Sequence, residues 1–137
     1  MKRYIFTLLL IAPIYIMGQD SIQITPPKII TKLKTGTSFT LDKKAVKFIK
    51  VVEDSRCPSD VTCFWAGQAT VLIGLYENDD LLEEKEIIIG AKGISPKNIK
   101  ELITSHNKTI FGYNLIPYPS SDQKINPSDY YLELLVK

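Results

Sequence analysis

The sequence has little with which to build an active site, since its 137 residues include one histidine, two cysteines and one tryptophan. A Ser/His/Asp or Cys/His centre would have to use His106, which lies in a polar stretch that we interpret as an exposed loop. The sequence contains no glycine-rich phosphate loop and no nucleophile elbow. We therefore assign no catalytic residue and expect no cofactor.

A metal site is not expected either. Cys57, Cys63 and His106 form a Cys₂His set by count, but the cysteine spacing matches no familiar zinc pattern. The acidic run at residues 78–80 could supply calcium ligands, yet its composition is that of an ordinary hairpin turn. We predict a turn there.

No excess of positive charge marks a nucleic-acid surface. The chain has 17 basic and 15 acidic side chains, and dedicated nucleic-acid binders show a clustered basic excess. Residues 28–34 and 43–50 are locally basic. We interpret them as solvated strand faces that protect sheet edges, with weak contact to an anionic surface as the alternative.

The first 18 residues have the layout of a signal peptide. A positive start at residues 1–3 precedes an uncharged apolar stretch, residues 4–17, and the small residue Gly18. This stretch is short for a spanning helix, which needs roughly 20 residues, although a retained anchor is the alternative. We predict cleavage between Gly18 and Gln19, export to the periplasm or the medium, and a mature chain without a membrane span.

What is present is a succession of strand-forming segments. Residues 68–76 place Ala69 and Val71 on one face and Thr70 and Leu72 on the other, and both faces are mostly apolar, which predicts a central strand. Further strands are predicted at residues 28–33, 38–41, 45–53, 85–89, 109–117 and 130–137. About seven short strands predict a mainly β fold, a single antiparallel β-sandwich or small barrel over residues 19–137.

One short helix is predicted near residues 95–105. Ser95 can cap it, Pro96 suits its first turn, and Ile99, Leu102 and Ile103 follow helical spacing.

The two cysteines are expected to form a disulfide, because export brings them to an oxidising compartment. Cys57 and Cys63 enclose five residues that must turn back sharply, and Pro58 and Asp60 suit such a turn. A loop this short supplies about 2–2.5 kcal/mol. The bridge is therefore expected to shape a loop rather than to define the fold.

Charged residues surround the first cysteine. Arg56 can pair with Asp54 or with Asp60 and so hold the loop in place. The alternative is that Glu53, Asp54 or Asp60 performs acid–base catalysis. We favour the structural pairing.

The densest motif reads D-S-R-C-P at residues 54–58, a second cysteine at Cys63, and W-A-G at residues 65–67. It resembles a motif in a group of small, exported, functionally uncharacterised bacterial β-domain proteins. Residues 113–119 and 125–130 also resemble the ending of that group. The resemblance implies a single exported β domain and no established activity.

Two functions follow from these features. The first is an exported, non-enzymatic binding domain for an unknown protein or small ligand, for example a protease inhibitor, that uses the stapled loop at Arg56, Pro58, Asp60 and Trp65. In the purely structural interpretation, Trp65 packs on the bridge or covers the core. The second function is a small exported hydrolase that uses the carboxylates beside the loop.

Overall fold

The computed structural model describes residues 29–90 and 100–137, and this part of the chain is mainly β. Its strands are β1 Ile29–Lys34, β2 Ser38–Leu41, β3 Lys44–Asp54, β4 Gln68–Glu77, β5 Asp80–Gly90, β6 Lys100–Ser105, β7 Lys108–Ile116 and β8 Tyr131–Val136. A 3-10 turn, Pro127–Asp129, precedes β8. The predicted signal peptide and its cleavage site lie outside the described residues.

The strands form two four-stranded antiparallel sheets, in the orders β1-β8-β7-β6 and β2-β3-β4-β5. Within the described ranges the sheets do not close into a barrel, so the sandwich is the correct alternative. The buried cluster draws apolar side chains from both sheets, which places the core between them. No helix in these ranges is long and apolar enough to cross a membrane.

β4 is one of the two inner strands of the second sheet, as its two apolar faces predicted. Ala69, Val71 and Ile73 are fully buried in the core, whereas Thr70 and Leu72 on the other face are half-buried. The strand pairs with β3 on one side and β5 on the other. Alternation in the sequence therefore identified the strand and the residues that share each of its faces.

The last strand of the chain is also central. β8 pairs with β1 and β7, and Leu132 and Leu134 are fully buried. Glu133 points away from this core, where it accepts a hydrogen bond from Asn114 and lies 3.7 Å from the ammonium of Lys32. The C-terminal residues are therefore part of the fold and not an appended tail.

The acidic run after β4 forms the predicted hairpin turn. Asn78 and Asp79 have φ angles of 50° and 70°, which suits a two-residue turn between antiparallel strands. The returning strand β5 begins at Asp80, earlier than the predicted residue 85, because it pairs with β4 along its whole length.

The predicted helix is wrong over its described part. Residues 100–105 form strand β6 at the edge of the first sheet, while residues 95–99 lie outside the described ranges. The register against β7 shifts between Glu101 and Ile103, so that the consecutive residues Leu102 and Ile103 are both buried. A bulge thus produced the spacing that resembled one face of a helix.

Candidate functional site

Residues 55–67, which we call the Cys loop, connect β3 to β4 at one end of the sandwich. The base of the loop continues the ladder of these strands: the amide of Ser55 donates to the carbonyl of Gln68 at 2.8 Å, and that of Cys57 donates to Ala66 at 2.9 Å. The loop therefore leaves the sheet with its two ends held together.

The predicted disulfide is present. Cys57 and Cys63 are bonded, and their Cα atoms lie 5.9 Å apart, within the usual range of about 4.4–6.8 Å. Between them, the amide of Val61 donates to the carbonyl of Pro58 in the turn that the composition predicted. The bridge closes a small ring on the outer side of the loop.

A glycine allows the loop to rejoin the sheet. Gly67 has a φ of +70°, which disfavours residues with a side chain. A Cβ atom at this position would lie 1.8 Å from the carbonyl oxygen of Ser55. Both the backbone angle and the close approach of the two chain segments therefore require glycine here.

Arg56 is the internal anchor of the loop. Its side chain is fully buried and forms a two-pronged ion pair with Asp54, with Nε donating to Oδ1 at 2.8 Å and Nη2 donating to Oδ2 at 2.6 Å. Of the two predicted carboxylate partners, Asp54 is therefore the correct one. A fork of this kind fixes the orientation of both groups.

The same guanidinium reaches the opposite sheet. Nη1 of Arg56 donates to the carbonyl of Leu115 at 2.6 Å, and Nη2 donates to that of Pro117 at 3.1 Å. The ring of Tyr118 stacks 4.7 Å from the guanidinium carbon, and the hydroxyl of Tyr130 donates to Asp54 at 3.0 Å. We call these groups the Arg56 hub. They tie the end of β3 to the end of β7 and the start of β8.

The electrostatics of the Arg56 hub follow from these contacts. Burial alone would raise the pKa of Asp54, but the hydrogen bonds and charge of Arg56, with the Tyr130 hydroxyl, outweigh burial and lower it. Burial, the charge of Asp54 and the hydrogen bond to it raise the pKa of Tyr130 to about 12. At neutral pH, Asp54 is thus ionised and Tyr130 is a neutral donor.

A second loop supports the Cys loop from the side. Residues 117–129 contribute the carbonyl of Pro119, which accepts from the amide of Ser59 at 2.9 Å. Ser121 donates its amide to Asp60 at 2.8 Å, and its hydroxyl donates to the same carboxylate. These two bonds lower the pKa of Asp60. Asp60 therefore joins the two loops and does not pair with Arg56.

The outer part of the Cys loop carries an exposed aromatic pair, Phe64 and Trp65, which we call the aromatic tip. Their side chains are 89% and 75% exposed, and their rings meet edge to face with centroids 4.6 Å apart. Trp65 therefore does not cover the core. Val61 nearby is also largely exposed. The sequence motif emphasised Trp65 but gave no signal for Phe64.

The predicted loop residues thus separate into two groups. Arg56 is buried, so it supports the loop from inside and offers no surface to a partner. Pro58 is half-buried, whereas Asp60 and Trp65 are exposed. The accessible part of the predicted site is therefore Pro58, Asp60 and Trp65, to which the structure adds Phe64.

The carboxylates of the hydrolase hypothesis show no feature of a general acid beside one of the described cavities. A general acid at neutral pH needs a raised pKa, but the pKa values of Asp54 and Asp60 are lowered. Glu53 is exposed on β3. Two cavities in the described ranges, of about 260 Å³ and about 240 Å³, are lined by other residues. These observations give the hydrolase no support.

His106 lies at the other end of the sandwich, in the turn between β6 and β7. Its Nδ1 lies 3.3 Å from Oδ2 of Asp42 and 3.4 Å from the hydroxyl of Ser105, which donates to the same carboxylate oxygen at 3.1 Å. In a catalytic triad, the hydroxyl and the carboxylate contact different ring nitrogens. Here both contact Nδ1, so the cluster joins two turns and does not activate Ser105.

In residues 29–90 and 100–137, no three histidine, cysteine or acidic side chains are grouped so that they could hold a metal ion. Comparison of the chain with models of protein families, with curated proteins and with solved structures found no match. The resemblance to a group of exported bacterial proteins therefore stays a prediction.

Proposed function

We propose that this chain is an exported, non-enzymatic binding domain that contacts its partner through the aromatic tip. The observation that carries the proposal is the exposure of Phe64 and Trp65, 89% and 75%, on a loop held by a disulfide. Large aromatic side chains are enriched among the residues that dominate binding energy. Two adjacent exposed rings on a tethered loop have no role in the core of this domain.

The tip offers a sizeable apolar surface to a partner. A buried Phe or Trp covers about 150–250 Å², so the two rings present on the order of 300 Å² at their observed exposure. At roughly 25 cal/mol per Å², their burial would contribute about 7 kcal/mol before the entropic costs of association. A patch of this area is typical of functional surfaces on monomers.

The construction of the loop reduces those costs. The disulfide, the ladder at the loop base and the bonds of Ser59 and Asp60 to the second loop restrict the Cys loop before any partner arrives. A loop that is already ordered loses less conformational entropy on binding. This argument favours a binding role over a purely structural one for the outer half of the loop.

Export is part of the proposal. The leader layout of residues 1–18 and the use of both cysteines in a disulfide support an oxidising compartment. N-terminal sequencing of the native exported protein should find Gln19 or a residue close to it. A chain that still began at Met1 would contradict cleavage.

The binding proposal is tested by affinity capture from the native exported fraction with three versions of the mature chain. These are the wild type, a Phe64→Ala/Trp65→Ala variant and a Leu81→Ala/Leu82→Ala control. Leu81 and Leu82 are 50% and 56% exposed on β5, so the control removes two exposed apolar side chains elsewhere. We expect captured material that the tip variant loses and the control keeps.

A thermal melt accompanies each capture, because a tip that only presents a surface should leave the melting temperature unchanged. Capture that is equal for all three versions would refute the tip as the contact surface. Loss of both capture and stability in the tip variant would also refute it, because the rings would then be structural.

A further inference from the structure

A cavity of about 260 Å³ opens on the second loop, next to the Arg56 hub. Its lining includes Tyr118, Gln123 and Asn126. The neighbouring residue Ser121 binds Asp60 of the Cys loop, so the cavity and the aromatic tip belong to the same end of the sandwich. Glu53, Asp54 and Asp60 do not line it.

Tyr118 gives this cavity an aromatic wall whose orientation is set in advance. Tyr118 is one of the lining residues, and the centroid of its ring lies 4.7 Å from the guanidinium carbon of the buried Arg56. The cation–π contact and the burial of Arg56 restrict the ring. A ring held in this way loses little freedom when a ligand stacks on it.

Beside Tyr118, the described lining combines two apolar residues, Pro117 and Ile125, with five polar or charged ones. Among the described residues, Ser120, Gln123 and Lys124 form no side-chain hydrogen bond or ion pair, so these groups are available to a ligand. Asn126 donates to Asp129 at 3.2 Å, which orients the amide. Among the described residues, the lining holds one cation, Lys124, and one carboxylate, Asp129, so their formal charges balance.

This combination matches the chemistry of a sugar ring. A pyranose has faces rich in C–H groups, which pack on an aromatic ring, and a rim of hydroxyls that each donate and accept. Side-chain amides offer both a donor and an acceptor, as such a rim requires. The volume lies just below the roughly 300–1,000 Å³ of pockets for drug-sized ligands, which suits one sugar unit.

We propose that the cavity beside Tyr118 binds one neutral sugar unit of an oligosaccharide, with the ring of Tyr118 as the stacking surface and Gln123 and Asn126 as hydrogen-bonding partners. The inference rests on the proposed function in one respect: it takes the loop end of the sandwich as the binding face. It names a ligand class that the aromatic tip alone does not specify.

The test is calorimetric titration of the full mature domain with neutral oligosaccharides of glucose, xylose, mannose, galactose and N-acetylglucosamine. We expect saturable binding of at least one of them. Tyr118→Ala should weaken it by about tenfold or more, and Tyr118→Phe should retain it because the ring is kept. Tyr76→Ala is the matched control, since Tyr76 is half-buried and lines the other described cavity.

Tyr118→Ala also removes the ring that stacks on Arg56, so its effect could come from a loosened fold. Gln123→Ala avoids this problem because Gln123 is exposed. It should weaken binding about fivefold with an unchanged melting temperature. Amide NMR shifts on titration should also concentrate at residues 117–129.

Absence of binding to every oligosaccharide would overturn the inference, and so would binding that neither Tyr118→Ala nor Gln123→Ala weakens. These outcomes are separate from the capture experiment. If a captured protein depends on Phe64 and Trp65 while no sugar binds, the tip proposal stands and the cavity proposal fails. If a sugar binds through Tyr118 while the tip variant captures as much as the wild type, the cavity proposal stands and the tip proposal fails.

Discussion

Replacement of Arg56 by alanine should destabilise the domain by about 3–5 kcal/mol, the usual cost of breaking a buried ion pair on one side only. The Arg56 side chain is fully buried, and the Asp54 side chain is 9% exposed. After the substitution, Asp54 would keep the hydroxyl of Tyr130 as its remaining side-chain donor. The buried carbonyl of Leu115 would also lose its 2.6 Å contact with Nη1, which adds to the cost.

The assay is denaturant unfolding at pH 7, with Lys50→Ala as the control. Lys50 is an exposed cation on the same strand, so its loss should change the free energy of unfolding by less than about 0.5 kcal/mol. A double-mutant cycle with Asp54→Ala isolates the pair. We expect a coupling of at least about 2 kcal/mol, near the upper part of the range for residues in contact.

Acidification gives a second measurement with a definite sign. The pKa of Asp54 is lower in the folded protein than its ordinary value of about 3.9, so its ionised form stabilises the fold above that pH. This contribution is lost as the pH falls through the folded-state pKa. Without Arg56, burial would dominate and raise the pKa of Asp54. The difference between wild type and Arg56→Ala should therefore shrink below about pH 4.

A loss of less than about 1 kcal/mol for Arg56→Ala would refute this reasoning, because a guanidinium with four polar contacts inside the protein cannot be removed at that cost. A difference that stayed constant from pH 7 to pH 3 would show that Asp54 is not the group to which the charge of Arg56 is coupled.

Three further substitutions test other parts of the structure by the same unfolding assay. Gly67→Ala should destabilise by about 2–4 kcal/mol or prevent folding, because its Cβ would lie 1.8 Å from the carbonyl oxygen of Ser55; a neutral result would mean that the loop base is not packed as described. Cys57→Ser/Cys63→Ser should cost about 1–3 kcal/mol and keep the β circular dichroism signal, since the closed loop is short; complete loss of that signal would contradict the minor role of the bridge. Leu134→Ala should cost about 2–4 kcal/mol because the side chain is fully buried in a central strand, and a change below about 1 kcal/mol would place β8 outside the core.

The parts of the fold that were predictable share a strong local signal. β4 alternates on two apolar faces, and the hairpin at Asn78 and Asp79 has residues that tolerate positive φ. The disulfide followed from the pairing of the only two cysteines under the predicted export. In each case, the residues that determine the structure are neighbours in the chain.

The parts that were not predictable depend on distant or irregular contacts. The bulge in β6 lets the consecutive residues Leu102 and Ile103 both lie in the core. The apolar spacing there therefore does not alternate as in a regular strand, and it was interpreted as a helix. The pairing of Arg56 with Asp54, two residues away, was among the predicted alternatives. Its bonds to Leu115 and Pro117 span 59 and 61 residues, and no pattern in one sequence indicates such contacts.

The motif around Cys57 suggested a structural role and a binding role. The structural role belongs to Arg56, and the proposed binding role belongs to other residues of the same loop. On the interior side, Arg56 joins the two sheets through its bonds to Asp54, to the carbonyl of Leu115 in β7 and to the carbonyl of Pro117 just after β7. After Cys63 the loop lies outside the core, and the side chains of Phe64 and Trp65 are exposed to solvent. Because the loop is anchored from within, these rings are not needed for the fold. From the proposed function we therefore expect substitution at the tip to lower binding without changing stability, whereas substitution of Arg56 lowers stability.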